Sequence, residues 1–488
     1  MPTYNPSNAF FLLNAALNAN NFYSGKNKSR IINWDQNLNE LQLIDTTTGD
    51  VIQTLGAGAN VADLGTVLFV SENGNNTTGT RGRIDLPYAT IGAAEVAANF
   101  GDTIFVFPGS FNATSLGKDG ITYYFCAGAT VTQPVVGPTA YLFSDSALGL
   151  GGTFTVLGEG DFTNNFSNIL AQRNGSQVYI EGNRFVSGSS GEAAFYSEST
   201  VAKASPSNTT TIVADEIVSL GNGVYVYTEN ATSTMTVTAN KIQSTATTIV
   251  TFDASLTGLN SPTLRVTANN ITNVGKAGDS INIHNIGGKI YVNCPNIVKT
   301  DASANAPVVL MNPGSPNQEG YVEINGNINY LPTSGLTTND YILFMGAGSS
   351  KISANIYGAA RSAYQGGTGG TGYSHYLEGY IESNTKVLTG FATISIAFGT
   401  AHKVFVNAIV KNNDNDTTAY GIESKQDAAL VVMQNCVIVT QGANSVQAGG
   451  LSIYSYAGSC ANNAINVGGE LVSNILVSAS VVAPVFNT

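Results

Sequence analysis

MTVTANKI at 235–242, LRVTANNI at 264–271 and IYVNCPNI at 290–297 are three renderings of one pattern. Each reads apolar, x, apolar, x, small, x, x, apolar. Further copies are VYIEGNRF (178–185), IVADEI (212–217), VEINGNI (322–328), VFVNAI (404–409) and INVGGEL (465–471). Weaker ones are ISANI (352–356) and VVMQNCV (431–437). Successive starts lie roughly 23 to 34 residues apart, save for a step of 52 between 352 and 404, and such a period marks a solenoid. Between copies runs a second strand type: VYVY (224–227), VTFD (250–253), INIH (281–284), VVLM (308–311), ILFM (342–345), ISIA (394–397), YGIE (420–423) and LSIY (451–454).

Two strand types alternating in fixed order describe coils, each adding one rung to each of two or more parallel sheets. One coil cannot bury its inward side chains alone, and stacking makes the core continuous. A β-sandwich would instead show frequent two-residue hairpin turns. The pattern predicts an all-β chain: a single-stranded right-handed parallel β-helix of about a dozen coils, over 63–475, with a C-terminal cap strand at 476–488. The small residue after each apolar pair suits a bend between sheets. Asn240, Asn269, Asn293, Asn325 and Asn407 are placed to stack as an amide ladder.

Residues 1–62 read differently and form a small N-terminal module. Residues 8–20 carry apolar positions at helical spacing, and NELQLIDTTTGDVIQTL (39–55) alternates around a Thr-Gly-Asp turn as a hairpin does. GAGAN at 56–60 reads as a hinge.

Composition narrows the function. Charged residues make up 11% of 488, against a usual share of about 25%. Hydrophobic residues reach 43%, enough for a large core. The net charge is −12 with 20 Lys+Arg and no basic stripe in the sequence, which argues against nucleic acid as partner. No run of about 20 apolar residues occurs, so membrane insertion is not expected. The start lacks the basic flank of a signal peptide. Cys126, Cys294, Cys436 and Cys460 match no zinc or redox spacing and read as free, buried thiols.

The stretch 69–94, FVSENGNNTTGT followed by LPYATIGAA, resembles the opening of the pectin-lyase-like β-helix superfamily. Phe69, Val70, Gly74, Asn75, Gly79, Thr80, Pro87, Tyr88, Thr90, Ile91 and Ala94 match, and Asn76 stands where the superfamily has Asp. GDTIFVFPGSF (101–111) is also frequent there. The resemblance implies a strand, a polar turn and a short helix (Ile91, Ala94, Val96, Ala97) plugging the open end of the core. A small module followed by such a helix is similar to bacteriophage tailspikes and head or tail fibres. That similarity implies a homotrimer in the virion, made in the host cytoplasm. Its N-terminal module would contact other virion proteins, and its β-helix would reach host surface polysaccharide. The alternatives are a polysaccharide depolymerase, hydrolase or lyase, on the same fold, and a cellular surface adhesin.

The superfamily's hydrolase signatures and calcium-lyase acid sets are absent, so no catalytic residue, metal or cofactor is assigned. The most unusual stretch, QGGTGGTGYSHYLEGY (365–380), offers Tyr373, His375, Tyr376, Glu378 and Tyr380 as a candidate carbohydrate site, because aromatic rings, a carboxylate and an imidazole together hold sugars. His284, Glu423, Tyr227, Met311, Met345 and Tyr454 occupy matching places in the second strand type and predict one outward ladder. Its methionines suit a subunit contact. Asp215 and Glu216 fall on opposite faces by alternation. Asp414 and Asp416 lie in a turn.

Overall fold

The computed structural model describes residues 23–24, 30–35, 40–45, 51–57, 67–134, 140–145, 151–173, 175–199, 207–229, 232–253, 261–275, 281–300, 307–312, 320–331, 341–346, 348–358, 362–366, 373–383, 392–396, 403–413, 420–424, 430–440, 444–448, 453–461, 465–467, 471–472 and 476–477. The helix expected at 8–20, Asp414 and Asp416 lie outside them. The chain divides into two compact units, 1–221 with 233–240, and 222–232 with 241–488. Each is a parallel β-solenoid; connections of this kind are right-handed in nearly all proteins.

In the first unit, Tyr23–Ser24, Arg30–Asp35, Glu40–Asp45 and Val51–Ala57 form an antiparallel sheet in that order. The expected hairpin is there, with Ile44 opposite Val51. Parallel stacking begins at Val67–Val70, which pairs with Thr103–Val106. The wide sheet at first holds two short strands per coil: Thr103–Val106 with Gly109–Asn112, Ile121–Phe125 with Ala129–Gln133, and Thr153–Gly158 with Asp161–Asn164. At Gln177–Ser187 the two merge into one bent strand of 11 residues. The narrow sheet contributes Phe143–Ser144, Leu170–Gln172 and Ala193–Ser199. Phe162 and Phe185 stack in register, ring centroids 5.0 Å apart.

Helix α1 (Ile91–Ala97) closes the start of this core. Its inward residues are Ile91, Ala94 and the following Ala98, spaced i, i+3, i+7. Val96, expected to plug the core, is 84% exposed, because it falls on the opposite side of a helix turn. Asn76 sets the helix start. Its Oδ1 accepts from the backbone N–H of Ala89 (2.9 Å) and Thr90 (3.1 Å), and its Nδ2 donates to Thr90 Oγ1 (3.1 Å). Thr90 Oγ1 in turn accepts from Ala93 N, a standard N-cap. At the other end Lys118 Nζ donates to the carbonyls of Glu95 (2.9 Å) and Ala98 (2.5 Å), satisfying helix acceptors with a cation.

In the second unit the wide sheet runs Thr263–Asn273, Gly288–Lys299, Gly320–Tyr330, Ser349–Gly358, Ser374–Ser383, Lys403–Asn412, Leu430–Thr440 and Ile453–Ala461, each paired in parallel with the next. Leu471–Val472 and Leu476–Val477 pair with the last of these. Ten short strands, from Asn222–Thr228 to Ile465–Val467, form the narrow sheet.

The burial pattern explains the sequence signature. Thr263–Asn273 buries Leu264, Val266, Ala268, Ile271 and Asn273. The step from Ala268 to Ile271 breaks the period of two, and there the strand bends. Ladder pairing lapses between Thr267 and Asn270, and the register shifts between Cys294 and Ile297. Ala268, Cys294, Ala354 and Ala408 are buried at the bend, and Gly326 and Gly379 stand in register with them. Gly326 (φ +146°) could carry no Cβ, which would sit 1.8 Å from the Cys294 carbonyl oxygen.

The bend also corrects one expectation. Asp215 and Glu216 both point outward, because alternation is interrupted there, and Glu216 accepts from Arg184 Nε (2.7 Å). Amides stack along the bend: Asn293 is in register with Asn325, Asn296 Nδ2 donates to Asn270 Oδ1 (3.3 Å), and Asn355 Nδ2 to Asn327 Oδ1 (2.9 Å).

The last inward place of most described wide strands is polar, Gly358 being an exception. Asn164, Ser187, Ser219, Ser244, Asn273, Ser383 and Asn412 are buried there. Their side chains bond the corner leading to the narrow sheet: Asn164 Nδ2 to Asn168 O (2.7 Å), Asn273 Nδ2 to Ile281 O (3.2 Å), Asn412 Nδ2 to Tyr420 O (2.7 Å). Each of these carbonyls also accepts a backbone N–H from the neighbouring coil, of Leu142, Thr248 and Thr393, so the side chain gives it a second bond. Lys299 and Tyr330 fill the same column, fully buried, with Nζ 5.3 Å from the ring centroid.

Candidate functional site

Ser374–Ser383 lies between Ser349–Gly358 and Lys403–Asn412. Its burial sets the candidate residues on two faces. His375 is fully buried. Its Nδ1 lies 3.0 Å from Ser350 Oγ, and its ring meets Tyr364 edge-on at 5.9 Å. Tyr376, Glu378 and Tyr380 point out. His375 therefore belongs to the core and is separated from the other candidates, as strict alternation before the bend requires. Tyr373 is half-buried just before the strand, where its carbonyl accepts from Lys403 N (2.9 Å). The glycines at 367–372 lie outside the described residues.

The outward face is built across three rungs. Tyr376, 43% exposed, stands in register with Phe405, and their rings stack at 4.6 Å and 6°. Glu378 accepts from Ser353 Oγ on the preceding rung (2.9 Å). Gly379 (φ +113°) makes the bend, where a Cβ would approach the Ala354 carbonyl oxygen to 2.5 Å. Beyond the bend the Tyr380 hydroxyl donates to Glu382 Oε2. Glu382 Oε1 also accepts from Lys411 Nζ (3.2 Å) and from Asn413 Nδ2. Tyr357, 40% exposed, stands opposite Glu382 in register.

The electrostatics follow from these contacts. Burial pushes the Glu382 carboxyl up, but the hydrogen bonds from Tyr380, Asn413 and Lys411, with the Lys411 charge, outweigh it and hold the group below the usual carboxylate range. Burial, then the Glu382 hydrogen bond and charge, raise the Tyr380 phenol. Glu382 is thus a fixed acceptor at neutral pH and a poor proton donor. The Tyr-x-Glu contact recurs: Tyr179 donates to Glu181 and Tyr321 to Glu323, both at 3.0 Å, and Tyr227 to Glu229 at 2.5 Å.

Phe405, Lys411 and Tyr357 escaped the sequence reading. The signal was present: HYLEGYI at 375–381 is a rung in register with VFVNAIV at 404–410. An imidazole in the first apolar place disguised it.

The ladder expected in the second strand type does not form. Met311 and Met345 are paired in register and fully buried, in a column with Asn285. His284 shares the outward column of Leu310 and Phe344, and Glu423 stands opposite Ser395. Tyr454 belongs to the wide sheet, opposite Val432. A one-residue offset between VVLM and INIH had merged residues of opposite faces. The last coil was misread likewise: Ile453–Ala461 is a wide-sheet strand and Ile465–Val467 a narrow-sheet one. Among the described residues no three His, Cys, Asp or Glu side chains gather as a metal site would need. Cys126, Cys294 and Cys436 are buried free thiols.

Compared with protein-family models, curated proteins and solved structures, the chain matches none.

Proposed function

We propose that this chain is a bacteriophage virion protein, a tailspike or a head or tail fibre, that projects from the particle and binds host surface glycan. The observation that carries the binding is the stacked pair Tyr376 and Phe405, with Glu378 and Tyr380 beside it on one outward face. An exposed ring offers an apolar plane to the C–H face of a pyranose. A carboxylate fixed by its own donors offers acceptors to sugar hydroxyls at little further entropic cost. The virion assignment is supported by the resemblance of 69–94 to the pectin-lyase-like opening, by the similarity of a small module followed by such a helix to tailspikes and fibres, with an antiparallel sheet ahead of the coils, and by the low charge. By the same resemblance the particle carries it as a homotrimer.

Purified protein and its Tyr376→Ala variant are titrated with host surface polysaccharide by calorimetry. Binding by the parent that weakens about tenfold in the variant supports this reading. Equal binding by both removes this face from recognition. Release of reducing ends or of unsaturated sugar would replace the binding protein by a depolymerase. Recovery from bacterial envelopes free of phage would replace it by an adhesin. A monomer by light scattering would exclude the trimer, and immunogold electron microscopy of particles tests the location.

A further inference from the structure

In the second unit, the ends of the narrow strands Asn222–Thr228 and Ile249–Asp253 bring side-chain oxygens together inside the core. Asp253 is fully buried, and its Oδ2 accepts from Ser261 Oγ (3.1 Å). Thr228 is its parallel partner on the adjacent strand, and Thr251 precedes it by two residues on the same inward side. Both threonines are fully buried, and neither hydroxyl meets a hydrogen-bond partner among the described residues. Buried hydroxyls are nearly always bonded, so two orphans beside one carboxylate call for an occupant.

The neighbours close this place without bonding the two hydroxyls. Asn285, in register with Thr251, spends its amide elsewhere: Nδ2 donates to the carbonyls of Gly288 and Tyr321 (3.0 Å each), and Oδ1 accepts from Gly287 N (2.8 Å). Gly287 (φ +108°) stands against Asp253, where a Cβ would lie 2.7 Å from the Asp253 Cβ. Val226, buried and in register with Thr251, adds an apolar wall. Thr228 lies one strand spacing from Asp253, about 4.8 Å, and Thr251 two residues away, about 6.6 Å, so the three side chains reach a common point. Oxygens that share a hydrogen sit about 2.8 Å apart. Oxygens gathered at about 2.4 Å around a hard cation spread to about 3.4 Å or more, the wider spacing that unbonded oxygens keep.

We infer that this corner binds one monovalent cation inside the solenoid, with the Asp253 carboxylate and the Thr228 and Thr251 hydroxyls as its ligands. One carboxylate matches one positive charge, and carboxylate and hydroxyl oxygens are hard ligands suited to an alkali ion. Such a site needs no trio of acidic or imidazole groups. The ion offsets the cost of burying the carboxylate. Water in the rest of its shell takes the hydroxyl protons. Water alone would serve the threonines, but the carboxylate favours a cation over a neutral occupant.

The test unfolds the full chain with urea in sodium, potassium, choline and calcium chloride at one pH and one ionic strength. Sodium or potassium should raise the urea midpoint above that in choline. Each tenfold rise of the bound ion above its Kd, balanced by choline, should raise the folded-to-unfolded ratio about tenfold. Thr251→Val, which keeps the shape of the side chain, should abolish this dependence, and so should Asp253→Asn. Thr251→Val carries the test should Asp253→Asn fail to fold. Equal midpoints in sodium, potassium and choline overturn the cation site and leave buried water in its place. A larger rise in calcium than in sodium or potassium overturns the monovalent class. An ion response kept in full by Thr251→Val overturns this ligand set.

Discussion

Ser350 Oγ and His375 Nδ1 face each other at 3.0 Å inside the core, on paired inward positions of adjacent wide-sheet strands. Removing the ring leaves a cavity and strands the serine hydroxyl. His375→Ala should destabilise the fold by about 2–4 kcal/mol, seen as a lower denaturant midpoint. Because the ring faces away from Tyr376, polysaccharide affinity of the folded variant should not change.

Asn76 divides its amide between two tasks: the oxygen holds two backbone N–H groups and the nitrogen reaches Thr90 Oγ1. Asn76→Ala should cost about 1–2 kcal/mol. Asn76→Asp should recover most of that, since the two backbone donors keep their acceptor. Hydrogen exchange of the amides at 89–98 would locate the loss at the cap.

His284 stands between Val250 and Leu310 in its column, and burial pulls its imidazole from 6.5 to about 4. Between those values the unfolded chain binds a proton that the folded chain does not. Stability is therefore full above about pH 6.5 and is lost as the pH falls toward 4, by about 3 kcal/mol for the whole shift. His284→Leu should flatten this segment of the profile. Glu382, held low, adds a loss of the same sign further into acid, present in parent and variant alike. Denaturant midpoints of both proteins at about pH 7 and pH 4.5 isolate the histidine.

Met345 is packed in register on Met311 within the core. Met345→Ala should cost about 2–5 kcal/mol. Light scattering should find the oligomeric state unchanged, because neither methionine reaches the surface. A change in subunit number would mean that this column takes part in assembly.

The solenoid was legible because its core repeats: apolar pairs at fixed spacing around a small residue survive in nearly every coil, and packing enforces them. The cap was legible from the residues around Thr90. The candidate site was only half legible. Tyr376, Glu378 and Tyr380 share a face, but Phe405 comes from the next coil, and no local pattern announces a neighbour one period away. His375 and the two methionines were misplaced for one reason. A period of two assigns faces correctly only when the phase is known, and polar or soft residues in inward places conceal it. The bend, where two successive residues point outward, misled the reading of Asp215 and Glu216.

The polar column at the ends of the wide strands ties several corners to their own coil or an adjacent one. Such a coil is close to a self-contained tile. Tiles of this kind can be lost or duplicated in evolution with little harm to the fold. The outward face does not share that freedom. Excising the coil that carries Phe405 would leave a sound solenoid in which Tyr376 had lost its stacking partner. Selection on what the surface reads would thus count coils, although the core does not.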